Sequence, residues 1–241
     1  MKYIVPLTAA ALLAVPAIAA DKDWNFGDGQ APERWSLQNS DYALCDVGLM
    51  QSPIDLAAAK ATGSITVTTN YGETDSTLKI STEKLQLDFP AGMAMHSGGK
   101  TFNLLQVHFH TPAEHAISGE RHPLVAHFVH ATEAGELGVL GVMFSEGAAN
   151  PALNNVAAAL ASGDGTAVAV DASQMIPEDL SVFRYMGSLT TPPCSEGVNW
   201  HVAAETMTAS AEQIAAMADI LGPTARSLQP LGNRLLVAPA Q

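Results

Sequence analysis

The chain has 241 residues, of which 47% are hydrophobic and 15% are charged, and this composition excludes a disordered chain and a long coiled coil. Its formal net charge is −13 at pH 7, from 11 Lys and Arg against 24 Asp and Glu. Because phosphate binding needs a basic surface, this balance argues against a nucleic-acid partner and favours a soluble protein that anionic membranes repel.

The amino-terminal residues have the pattern of a secretory signal peptide. Lys2 makes a minimal basic start, an apolar stretch follows, and Ala17-Ile18-Ala19 matches the small-x-small pattern of a cleavage site. We therefore predict a signal peptide over residues 1–19, a mature domain over residues 20–241, and a periplasmic or secreted location. An uncleaved membrane anchor is the alternative, but the apolar run is short and contains two prolines. We expect no membrane span in the mature chain.

Export makes the two cysteines interpretable. Cys45 and Cys194 are an even pair in an oxidising compartment, where a single disulfide is the economical assignment. Two separate buried thiols are the alternative. A bridge would tie an early loop to a late one, which favours one domain rather than two.

The mature chain contains no repeat, low-complexity linker or charge block, which also favours a single domain. Most of it has the β-branched and aromatic content, partial alternation and turn residues that are typical of strands. We predict strands at residues 64–69, 77–80, 85–89, 101–110, 124–130 and 137–144. The predicted architecture is mainly β with a few peripheral helices.

Two segments carry helix signals. The first begins at Asn150-Pro151, a cap followed by proline in the first turn, and extends to about Ala161. The second has Ser210 as N-cap with Gln213 three residues later, and it stops at Gly222-Pro223. Its apolar face is formed by Ile214, Met217, Ile220 and Leu221. Both helices are expected to be structural.

Histidines are concentrated in one segment. Positions 108 to 130 contain six of the eight: His108, His110, His115, His122, His127 and His130. Residues i and i+2 of a strand share a face, so His108 and His110 can bind one metal ion while Phe109 points the opposite way. His127, in the next predicted strand, is the best third ligand. Three imidazoles leave a fourth position for water, as in a catalytic zinc site. The alternative is a set of hydrogen-bonded sheet histidines.

The same spacing also permits a cupin. The pattern His108-x-His110-x-x-x-Glu114 is similar to the first cupin motif, in which the glutamate is a fourth ligand and iron or manganese is the usual metal. A cupin needs a second motif with Pro-x-Gly and a later His and Asn. The sequence lacks this second motif, so the cupin interpretation is disfavoured.

Four blocks of sequence carry a resemblance to a known family. They are residues 51–55 (QSPID), 106–115 (QVHFHTPAEH), 127–130 (HFVH) and 187–194 (GSLTTPPC). In this order they resemble the α-class carbonic anhydrases of bacteria, and the likeness extends from Trp24 to residues 231–234. The positions of Cys45 and Cys194 also look like that family's disulfide. The resemblance implies a mainly β (α+β) single domain around a large twisted, mostly antiparallel central sheet, with a few short peripheral helices.

The resemblance also implies the roles of the site residues. His108, His110 and His127 would hold Zn²⁺, which lowers the pKa of its water so that hydroxide forms near neutral pH, as is established for carbonic anhydrases. Thr190 would accept a hydrogen bond from the hydroxide, donate one to Glu114, and hold an oxygen of CO2 or bicarbonate with its N–H. The other implied substrate-binding residues are Thr191, Val129, Val139, Leu189, Val198 and Trp200.

The residues that support the ligands depart from the family pattern. Gln106 matches the partner of the first ligand, and Asn233 matches the residue whose backbone carbonyl receives the second ligand's N–H. The family has a glutamate two residues before the third ligand, where this chain has Val125. Valine cannot accept an imidazole N–H, and losing such a partner typically costs about 10- to 100-fold in affinity or activity. His115 and Tyr185, which match other members of that network, would also lose a partner. A water, a backbone carbonyl or His115 are the alternatives for the group that replaces the carboxylate beside His127.

The proton shuttle departs as well. The family usually has a histidine on the cleft wall, and Glu83 stands at the aligned position here. A glutamate has a pKa far from neutral, so it is a poorer shuttle than histidine. His96, in a nearby Gly-rich loop, is a second possible shuttle, and the favoured alternative is that it is an ordinary surface histidine. Phe26 replaces a tyrosine of the family, which removes one hydroxyl from the cleft.

The sequence therefore predicts an exported carbonic anhydrase, a lyase that uses Zn²⁺ for the reversible hydration of CO2 to bicarbonate and a proton. We expect its rate to be reduced by Val125 and by the missing shuttle histidine. The alternative is a catalytically weak or silent relative that binds zinc or serves as an interaction protein. Retention of all three ligand histidines argues against a silent relative.

Overall fold

The computed structural model describes residues 24–27 and 32–240. The predicted signal peptide, residues 1–19, lies outside the described residues. Within the described part of the chain, no helix has the length and apolar character needed to cross a membrane.

The described residues form one 13-stranded sheet with a few short helices. The strands are β1 Ala61–Gly63, β2 Val67–Thr69, β3 Glu73–Ser81, β4 Lys84–Asp88, β5 Ala94–Ser97, β6 Lys100–His110, β7 Leu124–Ala131, β8 Leu137–Glu146, β9 Ala167–Asp171, β10 Val182–Ser188, β11 Glu196–Ala203, β12 Met207–Ala209 and β13 Val237–Pro239. The α-helices are α1 Trp35–Gln38, α2 Leu44–Val47, α3 Pro151–Ala159 and α4 Ala211–Leu221. Short 3-10 helices lie at Pro32–Arg34, Ser40–Tyr42, Leu56–Ala58, Leu160–Ser162 and Ala172–Met175.

The sheet is mostly antiparallel, as expected. Its main strand order is β1-β13-β10-β11-β8-β7-β6-β4-β3-β9, and β6, β7 and β8 form consecutive antiparallel pairs at its centre. The parallel pairs are β1 with β13, β11 with β8, and β12 with β8. β8 is a central strand, and its residues from Gly138 to Phe144 are buried on both faces. This explains its nearly continuous apolar sequence.

Alternation along the central strands separates two cores. On one face, Phe109 and Phe128 belong to a large cluster that also includes residues of α3 and α4. On the other face, Val125 and Trp200 belong to a smaller cluster. Because side chains alternate along a strand, His127 lies on the face opposite Phe128, beside this smaller cluster.

The predicted elements are present with changed bounds. The strand predicted at residues 64–69 is wrong over residues 64–66, which connect β1 to β2. This connection is needed because β1 pairs with β13, whereas β2 pairs with β5. β3 extends the strand predicted at 77–80 in both directions, since it pairs with β4 and with β9. The sequence interpretation did not single out β10 and β11, although they form one of the main antiparallel pairs.

The structure confirms the helix caps. The Asn150 side chain accepts hydrogen bonds from the N–H groups of Ala152 and Leu153, and α3 ends at Ala159 in a 3-10 turn rather than at Ala161. Ser210 and Gln213 form a capping box at the start of α4. These caps satisfy N–H groups that the first turn of a helix leaves without partners.

The two cysteines form the predicted disulfide. The Cα atoms of Cys45 and Cys194 are 5.0 Å apart, and the bridge joins α2 to the loop between β10 and β11. Both cysteines are buried against Trp35. The alternative of two separate thiols is therefore wrong.

Candidate active site

The pairing of β6 with β7 brings three imidazoles together. His127 lies directly opposite His108, and His110 follows two residues later on the same face of β6. Their ring centroids are 5.0 to 5.2 Å apart. Each ring offers one nitrogen, and these nitrogens all lie within 4.8 Å of one another. The structure thus unites the three histidines that the sequence singled out.

The Nδ1 atoms of His108 and His110 are held by hydrogen bonds. His108 Nδ1 lies 2.9 Å from Gln106 Oε1, as predicted, and His110 Nδ1 lies 2.7 Å from the carbonyl oxygen of Thr224. Because these oxygens accept, each Nδ1 carries the hydrogen, and each Nε2 lone pair is available to a metal ion.

The assignment of Asn233 as the second ligand's partner is wrong. The acceptor is the backbone carbonyl of Thr224, which precedes Asn233 by nine positions. The Thr224 N–H donates to the Thr111 carbonyl at 2.8 Å, and the Thr111 N–H donates to Thr224 Oγ1 at 3.2 Å. These bonds hold the Thr224 segment against the end of β6. A carbonyl acceptor is independent of side-chain type, so sequence patterns do not mark it.

The third imidazole has a different environment. His127 Nδ1 lies 3.8 Å from Glu114 Oε2, and His110 Nε2 lies 3.5 Å from the same oxygen. These two nitrogens therefore converge, which makes Nδ1 the metal-facing atom of His127. His127 Nε2 is buried and has no hydrogen-bond partner among the described residues. Val125, two residues earlier, is completely buried and pairs with His110 across the strands.

Glu114 is a fully buried carboxylate beside the three imidazoles. Its Oε1 accepts the backbone N–H of Arg226 at 3.1 Å. Its Oε2 has no hydrogen-bond partner within residues 24–27 and 32–240, so the Thr190 hydroxyl does not donate to this oxygen here. The carboxylate is thus anchored through one oxygen and keeps the other as an acceptor.

Arg226 is a site residue that the sequence analysis missed. Its buried guanidinium donates to Gln51 Oε1, to the Ser52 carbonyl and to the Cys45 carbonyl, at 2.6 to 2.9 Å. Burial lowers the pKa of Arg226 to about 10, and the charge of the neighbouring Glu114 opposes part of this shift. Through its backbone and side chain, this residue joins the disulfide region to Glu114. A lone arginine in a late loop carries no motif that would reveal this role.

The residues expected to bind substrate lie on one side of the imidazoles. Val139, Val198 and Trp200 are buried in the smaller core, and Val129 and Leu189 pack against them. The Trp200 ring lies 5.0 Å from the His127 ring, and its Nε1–H donates to the Ser188 carbonyl at 2.9 Å. Thr190 is buried in the adjoining loop, followed by the partly buried Thr191. We call the apolar members of this set the apolar wall, and its Trp200 contacts His127. The apolar wall consists of Val129, Val139, Leu189, Val198 and Trp200.

Burial keeps two of the imidazoles unprotonated. Burial, followed by the neighbouring histidines, holds the pKa of His127 well below its usual range. Burial, His110 and Lys84 lower the pKa of His108 in the same direction. Metal ligation requires neutral imidazole, so these shifts favour it. The third ring, His110, is buried, and its Nε2 has no hydrogen-bond partner in the described part of the chain. Three converging imidazole nitrogens fit a zinc ion with one open position.

His115 belongs to a chain of hydrogen bonds that leads away from the site. Its Nε2 lies 2.7 Å from the Tyr185 hydroxyl, which lies 2.8 Å from Ser52 Oγ. The N–H of Ser188 donates to Ser52 Oγ at 3.1 Å. Burial is the main cause that lowers the pKa of His115 to about 3, so this ring is neutral. As expected from Val125, the other nitrogen, Nδ1, has no partner among the described residues.

The two shuttle candidates lie in different places. Glu83 occupies the turn between β3 and β4, where Gln86 pairs with His108, and its carboxylate accepts the Phe26 N–H at 3.1 Å. Phe26 in turn places its ring 6.4 Å from the His110 ring. Glu83 therefore lies near the site, but it also holds the amino-terminal segment.

The assignment of His96 as a shuttle is wrong. His96 pairs with Thr101 at the opposite end of β6 from the ligands, and it bonds the Thr101 hydroxyl. Seven residues separate Thr101 from His108. At about 3.3 Å per residue, this places His96 roughly 20 Å from the imidazole cluster, too far for direct proton transfer.

Comparison with known proteins adds independent support. The chain matches the family model of the eukaryotic-type carbonic anhydrases over residues 30–238. A carbonic anhydrase from a Nostoc species is 36% identical over 232 residues, covering 92% of this chain and 88% of that protein. The solved Photobacterium profundum α-carbonic anhydrase has a TM-score of 0.80 at 36% identity, covering 89% of this chain and 99% of that chain. The Thermovibrio ammonificans α-carbonic anhydrase, solved with the inhibitor sulfanilamide, has a TM-score of 0.80 at 33% identity, covering 89% and 98%.

Proposed function

The chain belongs to the eukaryotic-type (α) carbonic anhydrases, and we propose that His108, His110 and His127 hold the zinc ion at which it hydrates CO2. As a member of this family it is a lyase that interconverts CO2 and bicarbonate. The observation that carries the zinc assignment is the convergence of three imidazoles, with one nitrogen from each within 4.8 Å of the others. Bound zinc supplies Lewis acidity, which makes a water ligand nucleophilic near neutral pH.

Glu114 and Thr190 orient the nucleophile. The Arg226 N–H holds Glu114 Oε1, which leaves Oε2 as an acceptor, and in the zinc-loaded protein Oε2 would accept the hydroxyl hydrogen of Thr190. With its hydrogen directed to Glu114, Thr190 Oγ1 has only lone pairs to offer, and it accepts a hydrogen bond from the nucleophile. The reactive lone pair then faces the substrate, which lowers the entropic cost of the reaction.

The apolar wall binds the substrate. CO2 is small and uncharged, and the side chains of Val139, Val198 and Trp200 offer it a dry surface beside the ligands. The backbone N–H of Thr190 holds an oxygen of CO2 or of the product bicarbonate. Thr191 lines the same wall.

Proton release is expected to limit this enzyme. Glu83 stands where a shuttle histidine would act, and its carboxylate is engaged by the Phe26 N–H. An ordinary carboxylate has a pKa well below neutral pH and is therefore a poor proton carrier there, so buffer molecules carry much of the proton flux. Together with Val125 beside the third ligand, this supports a reduced rate relative to members with both groups.

We also propose that the protein acts outside the cytoplasm. Residues 1–19 have the features of a cleaved signal peptide, and residues 20–241 form the mature chain. The disulfide between Cys45 and Cys194 supports export, because such bonds persist in oxidising compartments.

The decisive experiment is stopped-flow CO2 hydration by the zinc-loaded protein, with a sulfonamide inhibitor as a control. We expect about one zinc ion per chain, hydration that the sulfonamide abolishes, and loss of both in His110→Ala. His122→Ala is the matched control, because this partly buried histidine bonds Ser145 Oγ outside the cluster and should leave activity intact. Tight zinc binding without hydration would instead support an interaction protein, and iron or manganese in place of zinc would overturn the proposed chemistry.

A further inference from the structure

Two buried imidazole nitrogens beside the apolar wall have no partner. They are His115 Nδ1 and His127 Nε2, and neither has a hydrogen bond to any described residue. The two rings are neighbours, with centroids 6.2 Å apart, and both pack against Trp200 at 4.7 and 5.0 Å. Val125 shares the strand face of His127 and contributes no polar atom. Buried polar atoms are normally satisfied, so this pair requires an explanation.

The hydrogen positions on the two rings are complementary. A neutral imidazole carries one N–H, and His127 Nδ1 faces the metal site, so its hydrogen resides on Nε2. His115 Nε2 bonds the Tyr185 hydroxyl, which bonds Ser52 Oγ in turn. When His115 donates through Nε2, its Nδ1 is a bare acceptor. In that tautomer of His115, the pair consists of one donor and one acceptor, both buried.

We propose that His115 is the positioning residue of the third ligand. Its Nδ1 accepts the Nε2–H of His127 through one buried water, because the two rings make no direct hydrogen bond. The resulting path of donors runs from His127 to His115, then to Tyr185 and Ser52. This inference rests on the proposed function, since it takes His127 Nδ1 as a metal ligand.

As a consequence, only neutral groups orient the third ligand, His127. A neutral acceptor forms a weaker hydrogen bond than a carboxylate does, so it raises the basicity of His127 less. We therefore expect zinc to be held less tightly than in a variant that has a carboxylate at position 125. The orientation of the third ligand then depends on His115, which does not itself touch the metal.

Zinc affinity in a double-mutant cycle tests this role. His115→Phe keeps an aromatic ring against Trp200 but removes the acceptor, and it should weaken zinc binding about 10- to 100-fold in chelator competition. Val125→Glu should tighten zinc binding by a similar factor, because its carboxylate accepts the Nε2–H directly. In the Val125→Glu background, His115→Phe should then cost less than about threefold. Val125→Ala is the matched control, since it supplies no acceptor and takes no room from the water, and it should leave the effect of His115→Phe unchanged.

A merely structural role of His115 gives a different pattern. Loss of packing would weaken zinc binding equally in both backgrounds, and that result would overturn the inference. If Val125→Glu does not fold, the near-isosteric Val125→Thr supplies an acceptor for the same cycle. Nitrogen-15 NMR of the zinc protein gives a second readout, in which the His127 Nε2–H should be observed as hydrogen-bonded in the wild type and should lose that signature in His115→Phe.

These readouts do not depend on CO2 hydration, so the two proposals fail separately. A wild-type chain that binds no zinc overturns the proposed function and this inference together. A chain that binds zinc, with or without hydration, but shows equal losses in both backgrounds overturns only the role of His115.

Discussion

Removal of the disulfide between Cys45 and Cys194 tests how the late loop is held. The bridge closes a loop with a sequence separation of 149 residues, which is most of the described chain. It also lies close to the chemistry, because Cys194 follows Thr190 by four positions and donates its N–H to the Thr191 carbonyl at 2.9 Å. The double variant Cys45→Ala/Cys194→Ala removes the crosslink and keeps the backbone N–H of residue 194.

The expected magnitude follows from the loop length. The chain-entropy relation for a separation of 149 residues gives a loss of about 5 kcal/mol in the free energy of unfolding. Domains are typically stable by about 5–15 kcal/mol, so this loss is a large fraction of the total. With a slope of about 5 kcal/mol per M in guanidinium chloride, the midpoint should fall by about 1 M. The slope itself should rise, because the unfolded chain without the crosslink is more expanded.

The assay is guanidinium chloride unfolding of the metal-free protein, followed by circular dichroism and tryptophan fluorescence together. Metal-free conditions avoid the added stability from bound zinc. Wild-type protein reduced while unfolded is the control, and it should show the same lowered midpoint without any change of side chain. A midpoint shift below about 0.2 M in both samples would refute the loop-closure reasoning.

The remaining predictions concern packing, pH and proton transfer. Gly187→Ala should abolish soluble expression or lower the melting temperature sharply, because the added Cβ would lie 2.7 Å from Trp200 Cδ1, whereas Gly72→Ala meets nothing within 4 Å and should be tolerated. Burial lowers the pKa of His130 to about 4 and of His201 to about 3, below the ordinary value of 6.5. The unfolded chain therefore binds protons first, and stability measured by denaturation should be flat above pH 6.5 and fall below it, by about 1.4 kcal/mol per pH unit for each histidine. His201→Leu should make this acid limb shallower, and an unchanged slope would exclude His201 as its source. Imidazole buffer should raise kcat in stopped-flow hydration, and a flat buffer dependence would indicate an internal relay.

Local patterns in the sequence were sufficient to place His108 and His110 on one face and to locate the starts of the two longer helices. The spacing of His108 and His110 places both on one strand face whatever the rest of the fold does, because side-chain direction alternates with period two. The caps at Asn150 and Ser210 act on N–H groups two or three residues away, so they too are local. Val125 was identified as a departure through the resemblance to the α-class carbonic anhydrases, which have a glutamate two residues before the third ligand.

Contacts between distant segments were decided by the tertiary structure. The carbonyl of Thr224 replaces Asn233 as the partner of His110, and Arg226 anchors Glu114 through its backbone N–H. Backbone groups are the same at every position, so no residue pattern marks which of them will face the site. His96 was excluded by the register of β5 against β6, which places it at the far end of the strand.

The physical reason is the range of the interactions. The amino-acid sequence alone determined which side chains share a face and where the two longer helices begin, because these depend on residues a few positions apart. The resemblance to a family identified which of the predicted ligands lacks a carboxylate partner. Only the tertiary structure decided which carbonyl meets His110, which amide meets Glu114, and that His115 and His127 are neighbouring rings that each carry an unpartnered nitrogen. Those arrangements depend on strand register and on the packing of segments about a hundred residues apart, which local spacing does not encode.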